Sequence, residues 1–475
     1  MTSTLIYFFF RLGNGFLAIA TLACLTRLLS PSEYGVYALF VTIAVTTSSI
    51  FFYWLTEGVG RFFPKHQLNP REVLAVITKW FWISTTAVAA LFIAAFPLYE
   101  KYKISPIMLV AIFVLSIAYG RYTMALQIAN SQNSPIRYGL LSLSKSAFTL
   151  VFGVILIKLG FGGQGVFIGF LAGIMLAMLI FEPQPRIGFL IGKVNSKIST
   201  DVLKYGLPLT LSGLGGILVD FLDRLMIGNI LGVSYVAPYA IVSDFVQLIM
   251  GPAMNVLMLS SFPLIVKFYD GGKYVESTNH LNALGVQIIS IGLPLAFGLS
   301  FLSEDISKLL FGKDYQQAAI LLMPWLVLAT FVAIFKSYYL DVVFQLRHET
   351  KYLGYIALIM AVVNVLFNML FLKRYGVISA AWATLVAYLV GAFMSWLIGR
   401  HFVSLPCINK VLLQSLTGCF GMYLVLYLML PLDGVFWFLA KVLIASSVYG
   451  MLGIALNIAG FRRFINHYIL GSKVF

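Results

Sequence analysis

Residues 28–40, LLSPSEYGVYALF, place a short polar stretch between two long apolar runs, as a tight turn between two helices would. About two hundred residues later the chain does much the same in residues 231–240, LGVSYVAPYA. Three pairs of residues correspond at an offset of 202: Ser32 and Ser234, Tyr37 and Tyr239, Ala38 and Ala240. The sequence therefore predicts a turn that the chain builds twice.

The composition shows what kind of solvent surrounds this chain. Of its 475 residues, 60% are hydrophobic and 10% are charged, whereas about 25% are charged in a soluble domain. The apolar runs are roughly 20 residues long and do not alternate, which favours membrane-spanning helices, since barrel strands show alternating runs of about 10 residues. The composition predicts an all-α integral membrane protein.

About 14 transmembrane helices can be drawn as apolar segments. They span residues 5–29, 35–59, 73–97, 106–130, 137–157, 165–182, 205–231, 236–262, 280–302, 317–345, 352–372, 376–399, 411–431 and 435–458. If the N-terminus is cytosolic, the cytosolic connections and tail hold seventeen lysines and arginines, against eight on the other side. Because short cytosolic loops are enriched in these residues, we expect both termini in the cytosol.

The repeat continues beyond the first turn. Gly139 corresponds to Gly354 at an offset of 215, and the segment at Gly162 to that at Gly376 at an offset of 214. Spans one to six and seven to twelve are thus predicted to be two copies of one bundle with the same orientation, and transporters bind substrate between such halves. The predicted domains are a six-helix bundle in 1–200, a second in 201–402, and two extra helices with a cytosolic tail in 403–475.

Several charged residues lie inside the predicted spans, where a lone charge costs roughly 2.5–3.5 kcal/mol. The cations are Arg11, Lys79, Arg121, Lys145, Arg224, Lys336 and Lys441. The acids are Asp220, Asp223, Asp244, Asp341 and, near a span end, Glu57. Such residues pair, extend to the membrane surface or face a watery cavity.

Three of the cations occupy one predicted depth. At 1.5 Å per residue, Arg121, Lys145 and Lys336 lie about 12–13 Å from the cytosolic ends of their spans. Arg121 and Lys336 are also related by the 215-residue offset. We expect these side chains to line a central cavity and bind an anionic head group. The alternative is a set of salt bridges to Asp341, Asp244 or Glu57 that only hold helices together.

The other cations have simpler interpretations. Arg11, Lys79 and Lys441 lie within about two turns of a span end, so we expect them to reach the membrane surface. Asp220 and Arg224 are four residues apart on one helix face and favour an ion pair. Arg11 and Arg224 remain further candidates for the cationic cavity.

Aromatic and small residues complete the predicted site. The tyrosines beside Arg121 and Lys336 could stack on sugars or simply pack in the core; they are Tyr119, Tyr122, Tyr338 and Tyr339. Gly165, Gly169 and Gly173 share one face of the sixth span and predict close helix contact.

Signatures of other functions are missing from the sequence. There is no Walker sequence, HExxH or GxSxG motif, and the three cysteines imply neither a disulfide framework nor a metal site. We expect no enzyme activity, cofactor or metal, and no nucleic-acid partner despite the net charge of +15. Transport would use the substrate's own gradient or a coupling ion, H⁺ or Na⁺, with Asp220, Asp223, Asp244, Asp341 and Glu57 as ion-coupling candidates.

Three motifs resemble those of a known family. They are RLLSPSEYGVYALF at 27–40, DRLMIGNILGVSYVAPYAIVSDF at 223–245 and LLFGKDYQQAAILL at 309–322. They resemble the polysaccharide flippases, the Wzx-type O-antigen (lipopolysaccharide) and capsule transporters of the multidrug/oligosaccharidyl-lipid/polysaccharide exporter superfamily. The resemblance implies two six-helix bundles, with or without two extra C-terminal helices, and a cationic cavity. It also implies that undecaprenyl-diphosphate-linked oligosaccharide moves from the cytosolic to the periplasmic leaflet of the bacterial inner membrane, with membrane lipids as the other partners.

Two alternatives remain open at this point. A drug or metabolite antiporter of the same superfamily would rely on the buried acids Asp220, Asp223 and Asp244 more than on a cationic cavity. A membrane-embedded polysaccharide polymerase or glycosyltransferase would need a large outer catalytic loop, and no predicted outer connection exceeds about fifteen residues.

Overall fold

The computed structural model describes residues 2–66, 70–97, 105–182, 194–403, 409–430 and 432–460. This part of the chain contains sixteen α-helices and no strand. The helices are α1 Thr2–Leu28, α2 Pro31–Phe62, α3 Pro70–Ala94, α4 Pro106–Ser131, α5 Pro135–Lys158, α6 Gly162–Phe181, α7 Ser196–Ile230, α8 Val233–Asp270, α9 Tyr274–Phe301, α10 Ser303–Leu310, α11 Lys313–Phe335, α12 Val342–Leu346, α13 Lys351–Tyr375, α14 Ile378–Gly399, α15 Asn409–Leu428 and α16 Val435–Ala455.

Each of the fourteen predicted apolar segments lies mainly on these helices, and residue 431, the end of the segment 411–431, lies outside the described residues. Within the described residues, thirteen helical stretches are long and apolar enough to cross a membrane, one of them joining α11 and α12 as Lys313–Leu346. The thirteen do not include α7, on which the predicted segment 205–231 falls. The chain is therefore a multi-pass, all-α membrane protein, as predicted.

The opening polar stretch contains the predicted tight turn, which is confined to the residues between Leu28 and Pro31, and it also starts the next helix. Pro31 is the first residue of α2, and Ser30 accepts a hydrogen bond from the Glu33 backbone N–H while its own N–H donates to the Glu33 carboxylate. This reciprocal cap satisfies two of the N–H groups that a helix start leaves without partners. The break between α1 and α2 is consequently shorter than the sequence suggested, because the polar residues after Ser30 are already helical.

The helix boundaries repeat in the same register as the sequence. α1 ends at Leu28 and α7 at Ile230, while α2 begins at Pro31 and α8 at Val233. Both pairs differ by 202 residues, the offset of the two sequence turns. The order of helices thus supports two copies of one six-helix unit followed by the pair α15 and α16.

Contacts between helices divide the chain into two compact units, Met1–Ala240 and Ile241–Phe475. The division falls inside α8, whereas the predicted boundaries at residues 200 and 402 rest on the sequence repeat and stay predictions. In the first unit α2 is the central helix and packs against α3, α4, α6 and α7. Its fully buried Phe52, Leu55 and Val59 lie in an apolar core that also takes Leu74 and Leu115.

Helices α5 and α6 approach each other through the predicted glycine face. A methyl group added at Gly169 would lie 2.7 Å from the Gly153 backbone nitrogen, and one at Gly173 would lie 2.8 Å from that of Thr149. Real Cβ atoms do not come this close, so a larger side chain would push the helices apart. The prediction of close contact through Gly165, Gly169 and Gly173 is confirmed.

The second unit is built around α9, α11 and α14. α11 packs against α9 and α14, α13 packs against α14, and α15 contacts both α9 and α16. The C-terminal helices expose large apolar side chains, for example Leu428 at 78% and Phe436 at 73%. Such a surface is stable only in an apolar solvent, which is the expected environment of a membrane helix.

Candidate functional site

Arg121, on α4, is held by a carboxylate at the end of α6. Its Nη2 donates to Glu182 Oε1 at 2.9 Å and to Oε2 at 2.8 Å. The Arg121 side chain is 23% exposed and that of Glu182 is 5% exposed. Glu182 directly follows Phe181, the last residue of α6. The charge of Arg121 is therefore largely balanced inside the first unit, by an acid outside the set that the sequence suggested.

Lys145, on α5, has an aromatic environment instead. Its Nζ lies 4.8 Å from the centroid of the Phe170 ring on α6, and Tyr119 stacks on the same ring with centroids 6.4 Å apart. The lysine is half-buried. Among the described residues, no carboxylate lies within ion-pair distance of its ammonium group. Lys145 thus keeps its charge available inside the helix bundle.

Lys336, on the second unit, is buried and paired. Its Nζ donates to Asp341 Oδ2 at 2.6 Å, and Ser395 of α14 donates to Asp341 Oδ1 at 2.6 Å. The side chains of Lys336 and Asp341 are 9% and 10% exposed. Lys336 begins a wider π turn, Lys336–Leu340, between α11 and α12. Of the partners considered from sequence, Asp341 is the one that Lys336 contacts.

The two repeat-related cations share one feature of their surroundings. Arg121 reaches the residue after α6, while Lys336 lies beside Gly391 of α14 and its partner Asp341 binds Ser395 of that helix. Helices α6 and α14 each carry the sixth predicted span of their repeat. Their predicted placement at one depth in a central cavity involves both units and stays a prediction.

The tyrosines mostly serve the core. Tyr122 is 6% exposed and Tyr339 is 2% exposed, and Tyr339 packs its ring over Gly285 and donates to Asn282 Oδ1 at 3.4 Å. Tyr119 is engaged with Phe170. Tyr338 is half-buried. Core packing, the simpler of the two sequence interpretations, therefore describes Tyr122 and Tyr339.

A buried polar cluster joins α7 to α2 and to the start of α8 within the first unit. Asp223, fully buried, accepts from the Tyr239 hydroxyl at 2.7 Å. Arg224, 7% exposed, donates from Nη1 to Thr42 Oγ1 at 3.0 Å. These contacts bring an acid and a cation from neighbouring positions of one helix into the core.

The other candidates are less enclosed. Arg11 and Asp244 are exposed, and Glu57 and Asp220 are half-buried. The predicted Asp220–Arg224 ion pair stays a prediction.

The expectation that Lys441 reaches the membrane surface is wrong. Lys441 is 2% exposed, and its Nζ donates to both Asp305 oxygens, at 2.9 and 3.0 Å. The reason is α10, a helix of eight residues that the sequence pattern did not indicate and that brings Asp305 to α16. Lys79, in contrast, is exposed and lies 5.7 Å from the Trp80 ring centroid, as a surface-reaching lysine would.

Three residues that bind the buried charges could not be assigned from the sequence: Glu182, Asp305 and Ser395. Glu182 binds Arg121, Asp305 binds Lys441, and Ser395 binds the acid Asp341, each from a different helix or connection. Glu182 is the last residue of the predicted span 165–182, and Asp305 lies in the predicted connection between 302 and 317. A carboxylate at or near the end of a span is a weak signal for a partner of a buried cation. Ser395 gives no such signal, because serine is common in membrane helices.

Solved structures place this arrangement in a known fold. The chain is similar to the lipid II flippase MurJ in an inward closed conformation, with a TM-score of 0.69 over 98% of this chain and 99% of that one, at 17% identity. It is also similar to an inward-facing multidrug resistance MATE family transporter of the MOP superfamily, with a TM-score of 0.56 over 82% and 93% at 16% identity. At these identities the likeness establishes the fold alone, and this chain shares that fold with both of these proteins.

The family follows from the sequence match. A family model described as polysaccharide biosynthesis protein matches residues 24–320, more than half of the chain. The chain belongs to this polysaccharide biosynthesis protein family. An uncharacterized membrane protein of Methanocaldococcus jannaschii is 23% identical over 255 residues, which are 51% of this chain and 47% of that protein. The chain thus matches about half the length of that curated relative.

Proposed function

We propose that this protein moves undecaprenyl-diphosphate-linked oligosaccharides from the cytosolic to the periplasmic leaflet of a bacterial inner membrane by alternating access. The observation that carries the proposal is the combination of a polysaccharide biosynthesis family match with a fold that follows a lipid II flippase over nearly its whole length. A lipid carrier of this kind has a charged diphosphate between a polar sugar and an apolar tail. A protein that moves it must offer a cation inside the membrane.

Lys145 is the cation that we assign to the diphosphate in the first unit. Arg121 is balanced by Glu182, whereas the Lys145 ammonium group lies over the Phe170 ring, with no carboxylate of the described residues within ion-pair distance. An aromatic ring stabilises a cation that lies over its face. It does so without a negative charge that would compete with a phosphate for the cation. An entering phosphate oxygen would therefore meet an ammonium group that it does not have to share.

The remaining predicted ligands have supporting roles in this proposal. Arg121 and Lys336 add positive charge when their carboxylate partners move, and Tyr338, which is half-buried, is the tyrosine with room for a sugar. Arg11 and Arg224 would act at the ends of the path.

The direct test is lipid translocation in vesicles. The purified protein is reconstituted with a radiolabelled undecaprenyl-diphosphate-linked oligosaccharide in the inner leaflet, and a membrane-impermeant glycosidase measures its arrival in the outer leaflet. We expect arrival to be faster than in protein-free vesicles. Equal rates with and without folded protein would overturn the proposal.

Lys145→Ala tests the assigned cation in the same assay. A hydrogen bond to a charged group contributes about 1.5–3 kcal/mol, so we expect translocation to fall by roughly 10-fold to 150-fold. The matched control is Lys79→Ala, which removes an exposed lysine that also lies over a ring. The control should translocate at nearly the original rate. If both variants behave alike while folding normally, Lys145 does not bind the head group.

A drug or metabolite antiporter is the second candidate, favoured by the MATE-like fold and the buried Asp223. In that case H⁺ or Na⁺ would act at the acids Asp220, Asp223, Asp244, Asp341 and Glu57. Ethidium efflux from cells that express the protein, lost in Asp223→Asn, would support this function. Lipid translocation without efflux would exclude it.

A further inference from the structure

The Lys336–Asp341 pair exists because of the π turn. The Asp341 N–H donates to the Lys336 carbonyl oxygen at 2.9 Å, a bond across five residues. In a regular α-helix, residues five apart point about 140° away from each other around the axis. The wider π turn brings them to one side, where Lys336 Nζ reaches Asp341 Oδ2 at 2.6 Å. Continuing the α-helix through this segment would separate the two charges.

The first repeat lacks this feature at the corresponding place. Arg121, 215 residues earlier, lies in α4, which continues as an α-helix from Pro106 to Ser131, and its acid comes from the end of α6. Among the described residues, the second repeat thus supplies the acid from the same helical stretch, Lys313–Leu346, through a π turn. Single π turns inside membrane and soluble helices often mark functional sites.

The Asp341 carboxylate also has a hydrogen-bond partner on the neighbouring helix α14. Ser395 of α14, which is fully buried, donates to the second carboxylate oxygen at 2.6 Å. The Lys336 stem packs close to Gly391, where an added Cβ would lie 3.0 Å from Lys336 Cε. Asp341 can therefore keep one hydrogen bond when Lys336 leaves. Ser337, the residue that follows Lys336, is exposed.

We propose that Asp341 is an internal substitute for a phosphate group. It neutralises Lys336 while the site is empty, and an entering phosphate or diphosphate head group takes Lys336 from it, leaving Asp341 bound to Ser395. Both anions offer oxygen acceptors to the same ammonium group. The inference rests on the proposed function, for which it names the second cation and the residue that tunes its affinity.

This exchange solves two physical problems of a carrier. A lone buried ammonium group is unfavourable in the membrane, so Lys336 needs a partner between cycles. A second cation without a partner, in addition to Lys145, would also slow the release of the head group. With Asp341 in competition, the bound head group is replaced by an anion that is already in place.

The experiment measures head-group affinity in the purified full-length protein in detergent, with farnesyl diphosphate as the probe in isothermal titration calorimetry. Asp341→Asn removes the competing charge and keeps the amide oxygen for Ser395, so binding should tighten at least about tenfold, equivalent to 1.4 kcal/mol. Ser395→Ala removes the hydrogen bond that Asp341 keeps after Lys336 leaves, so it should weaken binding, in the opposite direction to Asp341→Asn. Lys336→Met should weaken binding, and Lys336→Met combined with Asp341→Asn should match Lys336→Met alone.

Inorganic pyrophosphate distinguishes the source of the phosphate. The same ranking of variants with pyrophosphate means that the site recognises phosphate itself, and a ranking seen only with farnesyl diphosphate assigns it to a lipid head group. If folded Asp341→Asn and Ser395→Ala bind both probes as the original protein does, the pair is only structural and the inference fails.

The failure of this inference can be separated from failure of the proposed function. Translocation of the oligosaccharide lipid with unchanged affinities in the variants overturns the exchange and leaves the function standing. Absence of translocation by the original protein overturns the function, whatever the variants bind.

Discussion

For the buried ion pair between Lys441 and Asp305, we predict that removing Asp305 alone destabilises the protein more than removing Lys441 alone. Lys441 is 2% exposed and the Asp305 side chain is 15% exposed. Breaking a buried ion pair by removing one partner costs about 3–5 kcal/mol, because the other charge remains buried. Asp305→Ala leaves the ammonium group buried away from water, so we expect it to lower the free energy of unfolding by about 5 kcal/mol. Lys441→Ala leaves a carboxylate that water can reach, so we expect it to lower the free energy of unfolding by about 3 kcal/mol.

The assay is thermal unfolding of the detergent-purified protein, followed by fluorescence-detected size exclusion. Replacing both residues, as Asp305→Leu with Lys441→Met, should recover most of the loss, since apolar residues can replace a buried pair at little cost. The control is Lys308→Ala, which breaks an exposed pair with Glu304 whose side chains are 50% and 58% exposed. Such a pair contributes about 0–1 kcal/mol.

The ranking of the variants decides the outcome. We expect Asp305→Ala to lower the midpoint most, Lys441→Ala less, and Lys308→Ala least. A Lys441→Ala midpoint below that of Asp305→Ala, or a double variant as unstable as the two single changes together, would refute the argument from burial.

Three further changes test the packing. Gly169→Val should prevent accumulation of folded protein, because its Cβ would collide with the α5 backbone, whereas Gly15→Val, with open space around it, should be tolerated in the same expression assay. Tyr449→Phe removes a buried hydrogen bond of 2.7 Å to a backbone carbonyl and should cost about 1 kcal/mol, against no change for the exposed Tyr427→Phe in thermal unfolding. Ser30→Ala removes the cap of α2 and should lower stability by about 1 kcal/mol in thermal unfolding. Unchanged midpoints for Tyr449→Phe and Ser30→Ala would contradict these two expectations.

The long apolar helices, their order and the 202-residue repeat of the first turn could be predicted from the sequence alone. A lipid environment favours apolar side chains and requires backbone groups that are hydrogen-bonded within the segment. Each membrane helix is therefore visible in the sequence as a run of about 20 apolar residues. The break at Ser30 and Pro31 could be located for the same reason, since a cap and a proline act within one turn. The glycine face of α6 was likewise visible, because its spacing alone places small residues on one side.

The partners of the buried charges were decided by the tertiary structure. Arg121 could have been matched with several acids, and its partner Glu182 lies 61 residues away. The sequence predicted that Lys441 reaches the membrane surface, whereas the short helix α10 places Asp305 beside it. The two residues are 136 positions apart in the chain. Lys336 and Asp341 are close in sequence, yet an α-helix would have separated them, and the π turn that joins them has no signature in the apolar pattern. Hydropathy is a property of each segment, whereas charge pairing depends on which segments meet and how each helix turns, and only the folded chain contains that information.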